Sequence, residues 1–162
     1  MPLLDGGHVV EDPWVLVPDD APFPADAPAL VTLKRLPEAR RPGRRLGVLL
    51  GPASRAEDVA AALPDLSLIA VEFPKFRDGR GFSLARTLRE RHGFTGEIRA
   101  VGHILPDQYR FLLRCGVSTV ALPEGADPAP WQAALGRFGV AYQPAAAEEA
   151  PLDHLRRRLA AP

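Results

Sequence analysis

From Leu46 to about Phe138 the chain alternates short apolar runs with stretches in which apolar residues recur every three or four positions. Apolar runs bounded by turn residues predict strands, and a period near 3.6 predicts helices. The expected strands are Leu46–Leu50, Leu68–Phe73, Ile98–Gly102 and Ser118–Leu122, and each is followed by a gap long enough for one helix. Leu68-Ile-Ala-Val71 is apolar throughout, as a strand covered on both faces must be. The predicted fold class is therefore α/β, a mostly parallel sheet of about four βα units arranged as a barrel-like arc or an open three-layer sheet.

Helix punctuation agrees with this alternation. Ser54 with Glu57 three residues on is a capping-box pattern, Val59 and Leu63 share a face, and Pro64 is expected to stop that helix. Ser83 is the expected cap of the next, with Leu84 and Leu88 inward, Arg86, Arg89 and Glu90 outward, and Gly93 beyond its end. Pro106 suits the first position of a third helix that buries Tyr109, Leu112 and Leu113 and ends at Gly116. Asp127 and Pro128 open a fourth, with Trp131, Ala134, Leu135 and Phe138 on one stripe.

The first 45 residues have a different texture. His8-Val-Val10 running to Trp14-Val-Leu-Val17, and Leu30-Val-Thr-Leu33, are β-prone, while Pro18-Asp-Asp-Ala-Pro-Phe-Pro24 is too rich in proline for a helix. These residues predict a small N-terminal β element, antiparallel or at a sheet edge, followed by the basic linker Arg40-Arg41-Pro-Gly-Arg44-Arg45, which reads as a solvated charge run. At the other end, Val140-Ala-Tyr142 suggests a last strand. Leu152, Leu155 and Leu159 mark a short amphipathic helix carrying Arg156-Arg-Arg158, expected to dock on its own domain or on another protein. The expected organisation is one α/β domain over residues 1–162: 1–45 as β element and linker, 46–143 as βα core, 144–162 as tail.

Composition narrows the functional classes. A chain of 162 residues, 46% apolar and 25% charged, is ordinary for one domain with a real core. Twenty basic and twenty acidic residues cancel, so no global field draws the chain to nucleic acid or membrane, and any basic site must be local. Cys115 is the single cysteine, which excludes an intramolecular disulfide and a multi-thiolate zinc or iron–sulfur centre built from this chain alone. No intrinsic metal or cluster is expected. With no leader-like N-terminus and no run near the roughly 20 apolar residues of a membrane span, the protein reads as cytoplasmic.

In sheets of this kind, ligands gather beyond the carboxyl ends of the strands. That rule collects Gly51, Pro52 and Ser54, then Lys75 to Ser83, then Gly102, His103 and Asp107, then Glu124. Lys75, Arg77, Arg80, Gly81 and Ser83 form the candidate anion site, because guanidinium groups and unpaired amides at a helix start both favour negative charge. The plainer alternative is exposed arginines paired with Asp78. Gly79-x-Gly81 lacks the third glycine of a dinucleotide fingerprint and the Gly-Lys-Ser/Thr of a P-loop. His103, Asp107 and Glu72 are the weak catalytic candidates, His103 because an imidazole after a strand can exchange protons with a ligand. Glu72 and Arg99, each inside an otherwise apolar strand, are candidates for a structural ion pair. Cys115 reads as a buried apolar filler, and the remaining histidines, His8, His92 and His154, have no metal-ligand spacing.

The run Phe76-Arg-Asp-Gly-Arg-Gly-Phe-Ser83-Leu-Ala-Arg86, with Gly93-Phe-Thr-Gly-Glu-Ile-Arg99-Ala-Val-Gly102 and Leu105-Pro-Asp107-Gln108, resembles the bacterial family catalogued as domain of unknown function 934. The resemblance implies a small cytoplasmic protein described as an oxidoreductase associated with sulfite reduction in assimilatory sulfur metabolism. It carries over no catalytic residue, and it implies an acidic residue where His103 stands. Sulfite reduction takes six electrons, and the chain shows no cluster ligands and no flavin or nicotinamide fingerprint. The expectation is thus an accessory role, binding a sulfite-reductase component or a sulfur-oxyanion metabolite. The alternatives are an oxidoreductase or other enzyme with a phosphorylated or sulfated ligand on the same face, and a noncatalytic barrel remnant that forms a homo-oligomer.

Overall fold

The computed structural model describes residues 2–136. Eight strands, β1 Leu3–Asp5, β2 His8–Val10, β3 Val15–Leu16, β4 Ala29–Thr32, β5 Leu46–Leu50, β6 Leu66–Phe73, β7 Glu97–Gly102 and β8 Thr119–Ala121, form one sheet in the order β2-β1-β8-β7-β6-β5-β4-β3. From β3 to β8 neighbours follow chain order and are parallel, while β1 runs antiparallel to both β2 and β8. Sequential order with right-handed crossovers puts every connecting helix on one face of the sheet. The barrel-like arc is therefore the correct alternative and the open three-layer sheet is not.

Why the sheet must curl follows from its connections. Strands β2 and β3 lie at opposite edges, yet only residues 11–14 join them. Seven interstrand steps of about 4.8 Å would set the edges of a flat sheet roughly 34 Å apart, whereas the five backbone steps from Val10 to Val15 reach about 18 Å at most. A register shift at Leu46/Gly47, where β5 meets β6, adds local bend. The result is a curled half-barrel.

Strand alternation sorts the core onto two faces. Val48, Ile69, Val71, Ile98, Ala100 and Val120 point outward to the helices, where they meet α1 (Leu36–Ala39), the 3₁₀ segment Ala56–Asp65, α2 (Arg80–Glu90), α3 (Tyr109–Arg114) and α4 (Ala129–Gly136) in one core. Leu30, Leu68 and Ala70 point to the concave face and are covered by Trp14. Gly47 makes room for that indole, since a Cβ there would lie 3.1 Å from it. Both faces of Leu68–Val71 are buried, as its composition requires.

Several sequence expectations need correction. The N-terminal strands, expected as an antiparallel or edge element, supply both edges of the one sheet together with β1, which the pattern did not reveal. Strands β4 to β8 are each followed by a helical segment, giving five such units rather than about four. Residues 56–65 coil as a 3₁₀ helix containing Pro64, and the cap is Asp58, whose carboxylate accepts from the Arg55 N–H at 2.8 Å, not Ser54. Helix α2 starts at Arg80, so Ser83 lies inside its first turn instead of capping it. Arg89 turns inward, where it donates to the carbonyls of Phe94, Gly96 and Gly116 and to Ser118 Oγ, and burial lowers its pKa. The third and fourth helices start as expected, with Pro106 opening a 3₁₀ turn ahead of α3 and the Asp127 carboxylate accepting from the Ala129 N–H at 2.9 Å. Phe138, the Val140–Tyr142 strand and the C-terminal helix lie outside the described residues.

The predicted pair between Glu72 and Arg99 does not form. The Arg99 side chain, 3% exposed, instead donates to Asp12 at 2.9 Å and to Glu97 at 3.0 and 2.9 Å. Thr119 Oγ1 donates to the same Glu97 oxygen at 2.5 Å. Arg99 is the third residue of β7, near the amino end of the strand, whereas Glu72 sits near the carboxyl end of β6, opposite Val101. The cluster fixes residues 11–14 across the concave face. Removing one partner of a buried ion pair leaves the others uncompensated, so Arg99→Ala should cost about 3 kcal/mol of unfolding free energy in urea titration. A loss below about 1 kcal/mol would show that the crossing is held by Trp14 alone.

Candidate functional site

Beyond the carboxyl ends of β6 and β7, residues 74–79 and 103–108 form a common rim. Two contacts tie them: Gln108 Nε2 donates to the Phe76 carbonyl at 2.8 Å, and the His103 ring meets Phe76 edge-on at 5.6 Å. The His103 N–H donates to the Phe73 carbonyl at 2.7 Å, continuing the β6–β7 pairing past the strand end. Gln108 also accepts from the Leu105 N–H, so one side chain both opens the helical turn and fastens the neighbouring loop.

The five predicted anion ligands do not converge. Arg80 donates through Nε and Nη2 to Asp78 at 2.9 and 2.6 Å, a bidentate pair inside its own loop. The Arg77 guanidinium lies over the Phe76 ring at 5.2 Å. Lys75 is exposed on the same loop, and Ser83 faces a shallow groove with Arg55, Arg80 and Arg91. Gly81 serves packing rather than an anion: a Cβ there would lie 2.5 Å from the Phe73 ring, which fills the space beneath the helix start. Where Glu72, Asp78 and Arg80 approach Gly51, the cavity is only about 10 Å³. That is room for about one water.

The weak catalytic candidates are likewise dispersed. Glu72, His103 and Asp107 are exposed; Glu72 faces the β5 side of the rim near Gly51, while His103 stacks on Phe76. Glu124 is exposed beyond β8. Cys115 is buried, and that burial pushes its thiol up, as befits a filler rather than a nucleophile. Among the described residues no group of three or more His, Cys, Asp or Glu side chains is placed to hold a metal ion, and no helix is long and apolar enough to cross a membrane.

What sequence reasoning missed is the aromatic character of this surface. Phe76 and Phe111 are 36% and 51% exposed, and Phe111 packs on Phe82 of α2 at 4.9 Å, with Phe82 edge-on to Phe73 at 5.1 Å. Phe111 follows Gln108 by three residues, the helical spacing that shares a face. Its exposure was the available signal, because Leu112 and Tyr109 already account for the buried stripe of that helix.

These features define a singly wound α/β half-barrel with a closed, aromatic and cationic rim. The chain belongs to the family described as bacterial protein of unknown function (DUF934), whose family model matches residues 47–153. No match was found among curated proteins.

The Asp78–Arg80 pair can be read by titration. Side-chain and then backbone hydrogen bonds from Arg80 hold the Asp78 carboxyl at about 2, below its ordinary 3.8. A lowered carboxyl contributes stability above its unfolded pKa and loses it as pH falls through the folded value. The pair's contribution should therefore be intact above about pH 4 and fade toward pH 2. Carboxyl NMR should place Asp78 near 2, and Arg80→Gln should return it toward 3.8; an Asp78 that titrates near 4 in the unaltered protein would show that Arg80 is free.

Proposed function

We propose that the protein is an accessory component of assimilatory sulfur metabolism that acts in sulfite reduction by binding a sulfite-reductase component through this rim. The metabolic setting rests on the sequence resemblance; the mode of action rests on the surface. One observation carries it: Phe76 and Phe111 are exposed, the Phe76 ring meets Arg77 and His103, and Gln108, three residues before Phe111, is bonded to the Phe76 carbonyl. Aromatic and arginine side chains are the groups most favoured as anchors in protein contacts. Small-molecule pockets enclose roughly 300–1,000 Å³; the space beneath the start of α2 is about 10 Å³, and the groove of about 530 Å³ beside it is open to solvent and does not enclose a ligand. An oxidoreductase or other enzyme holding a phosphorylated, sulfated or flavin ligand between these loops is the weaker reading for that reason.

The Phe76 ring meets the exposed Arg77 and His103, so the rim can be altered without disturbing the core. Affinity capture from the native cell should recover the reductase component with the unaltered chain, and Phe76→Ala combined with Arg77→Glu should lower recovery about tenfold or more at unchanged circular dichroism. Recovery unchanged by the double substitution would reject the rim as the contact. Capture that never yields a reductase component, together with stabilisation by a flavin or nucleotide that is lost in His103→Ala, would favour the enzyme instead.

A further inference from the structure

We infer that the turn Arg41-Pro-Gly-Arg44 and the adjoining Arg45 form a second binding site, at the amino-terminal ends of β4 and β5, for a small molecule carrying a phosphate or sulfate group. The turn itself brings the first two arginines together. The Arg44 N–H donates to the Arg41 carbonyl at 3.3 Å, Pro42 occupies the second position, and Gly43 has φ +80°. That is the type II pattern, which holds its first and fourth Cα atoms within about 7 Å. Glycine is required at the third position because other residues rarely adopt that φ.

The neighbouring guanidinium groups are positioned without being neutralised. Arg44 lies over the Phe23 ring at 4.5 Å and donates to the Ala39 carbonyl at 3.3 Å; Arg45 lies over the Trp14 ring at 5.5 Å. Among the described residues, the carboxylates that neutralise other arginines of this surface and of the rim, Asp65 on Arg40 and Asp78 on Arg80, have no counterpart on Arg41, Arg44 or Arg45. The three line a cleft of about 410 Å³, whose opposite wall is Pro24–Pro28 and includes Asp26. Three arginines against one aspartate among its lining residues leave the cleft locally cationic. Its walls lead into adjacent strands and are joined where the Ala29 N–H donates to the Arg45 carbonyl at 3.1 Å, so they are fixed relative to one another.

Stacked guanidinium groups retain their in-plane donors, which match the oxygens of a tetrahedral oxyanion. The volume falls in the small-molecule range, and all three arginines line the one cleft, which favours a compact ligand over an acidic polymer. This site is independent of the rim contact proposed above, because it shares no residue with it.

The full chain is titrated at constant ionic strength with pyrophosphate, with sulfate and, as reference, with chloride, following thermal stability and heat. Pyrophosphate or sulfate should stabilise the protein in a saturable way beyond chloride, the stronger of the two identifying the phosphate or sulfate class. Arg41→Ser, at an exposed position, should weaken that binding about tenfold or more, as should Arg45→Gln, whereas Arg77→Ser on the rim should leave it unchanged. No effect beyond chloride, equal binding by the Arg41→Ser variant, or binding confined to a polyglutamate chain would overturn the site.

Discussion

A connection of four residues between opposite edges of an eight-stranded sheet constrains everything else in this fold. It is too short for a flat sheet, so the strands must curl, and the curl creates a concave face on which no helix among the described residues packs. That face is covered by the connection itself: Trp14 on Leu30, Leu68 and Ala70, and Asp12 on Arg99. A guanidinium 3% exposed would be expensive to bury alone. With Asp12 on one side and Glu97 on the other it is satisfied, and Thr119 takes a remaining Glu97 lone pair. The ion cluster thus belongs to the closure of the half-barrel rather than to chemistry.

The same use of arginine recurs. Arg35 donates to the Pro18 and Ala21 carbonyls and pairs with Glu38 at 2.6 Å, which organises the proline-rich loop beyond the one turn where the Ala21 N–H donates to the Pro18 carbonyl. Arg89 gathers the carbonyls of the turns leading into β7 and β8. Five in-plane donors on one planar group can serve several carbonyls that would otherwise go unpaired where irregular backbone is half-buried. Lysine, with a flexible point charge, could not hold three such acceptors in fixed directions.

That habit explains which parts of the protein were legible in its sequence. Strand positions β5 to β8 could be read because burial on both faces demands continuous apolar runs, and the end of α3 could be read because Gly116 meets a backbone requirement, φ +90°. β1 escaped because three residues carry too little periodicity, and its role depends on distant partners, Asp5 with Thr119 and Leu3 with Ala121. The candidate site fared worse for a different reason. Asp78, two residues from Arg80, made their pairing readable as an alternative, but nothing local shows that Arg41 has no carboxylate partner among the described residues. Nor could Gly81 reveal that it faces a phenyl ring, since Phe73 lies on another element. Charge type is visible in a sequence; whether a charge is already answered is a property of the fold.

The two ends of the strands accordingly do different work. At the carboxyl ends, loops cross-tied by Gln108 and a helix start filled by Phe73 leave aromatic surface and an open, shallow groove. At the amino ends, the turns leading into β4 and β5 stand apart far enough to leave a cleft, because one is stiffened by prolines and the other is a tight Pro-Gly turn that projects arginines at it. In closed βα barrels the amino-terminal face usually carries stability and the opposite face chemistry. Here the half-barrel is closed by its own N-terminal crossing, whose Trp14 also supports Arg45. Closure and the cationic cleft therefore share one aromatic residue.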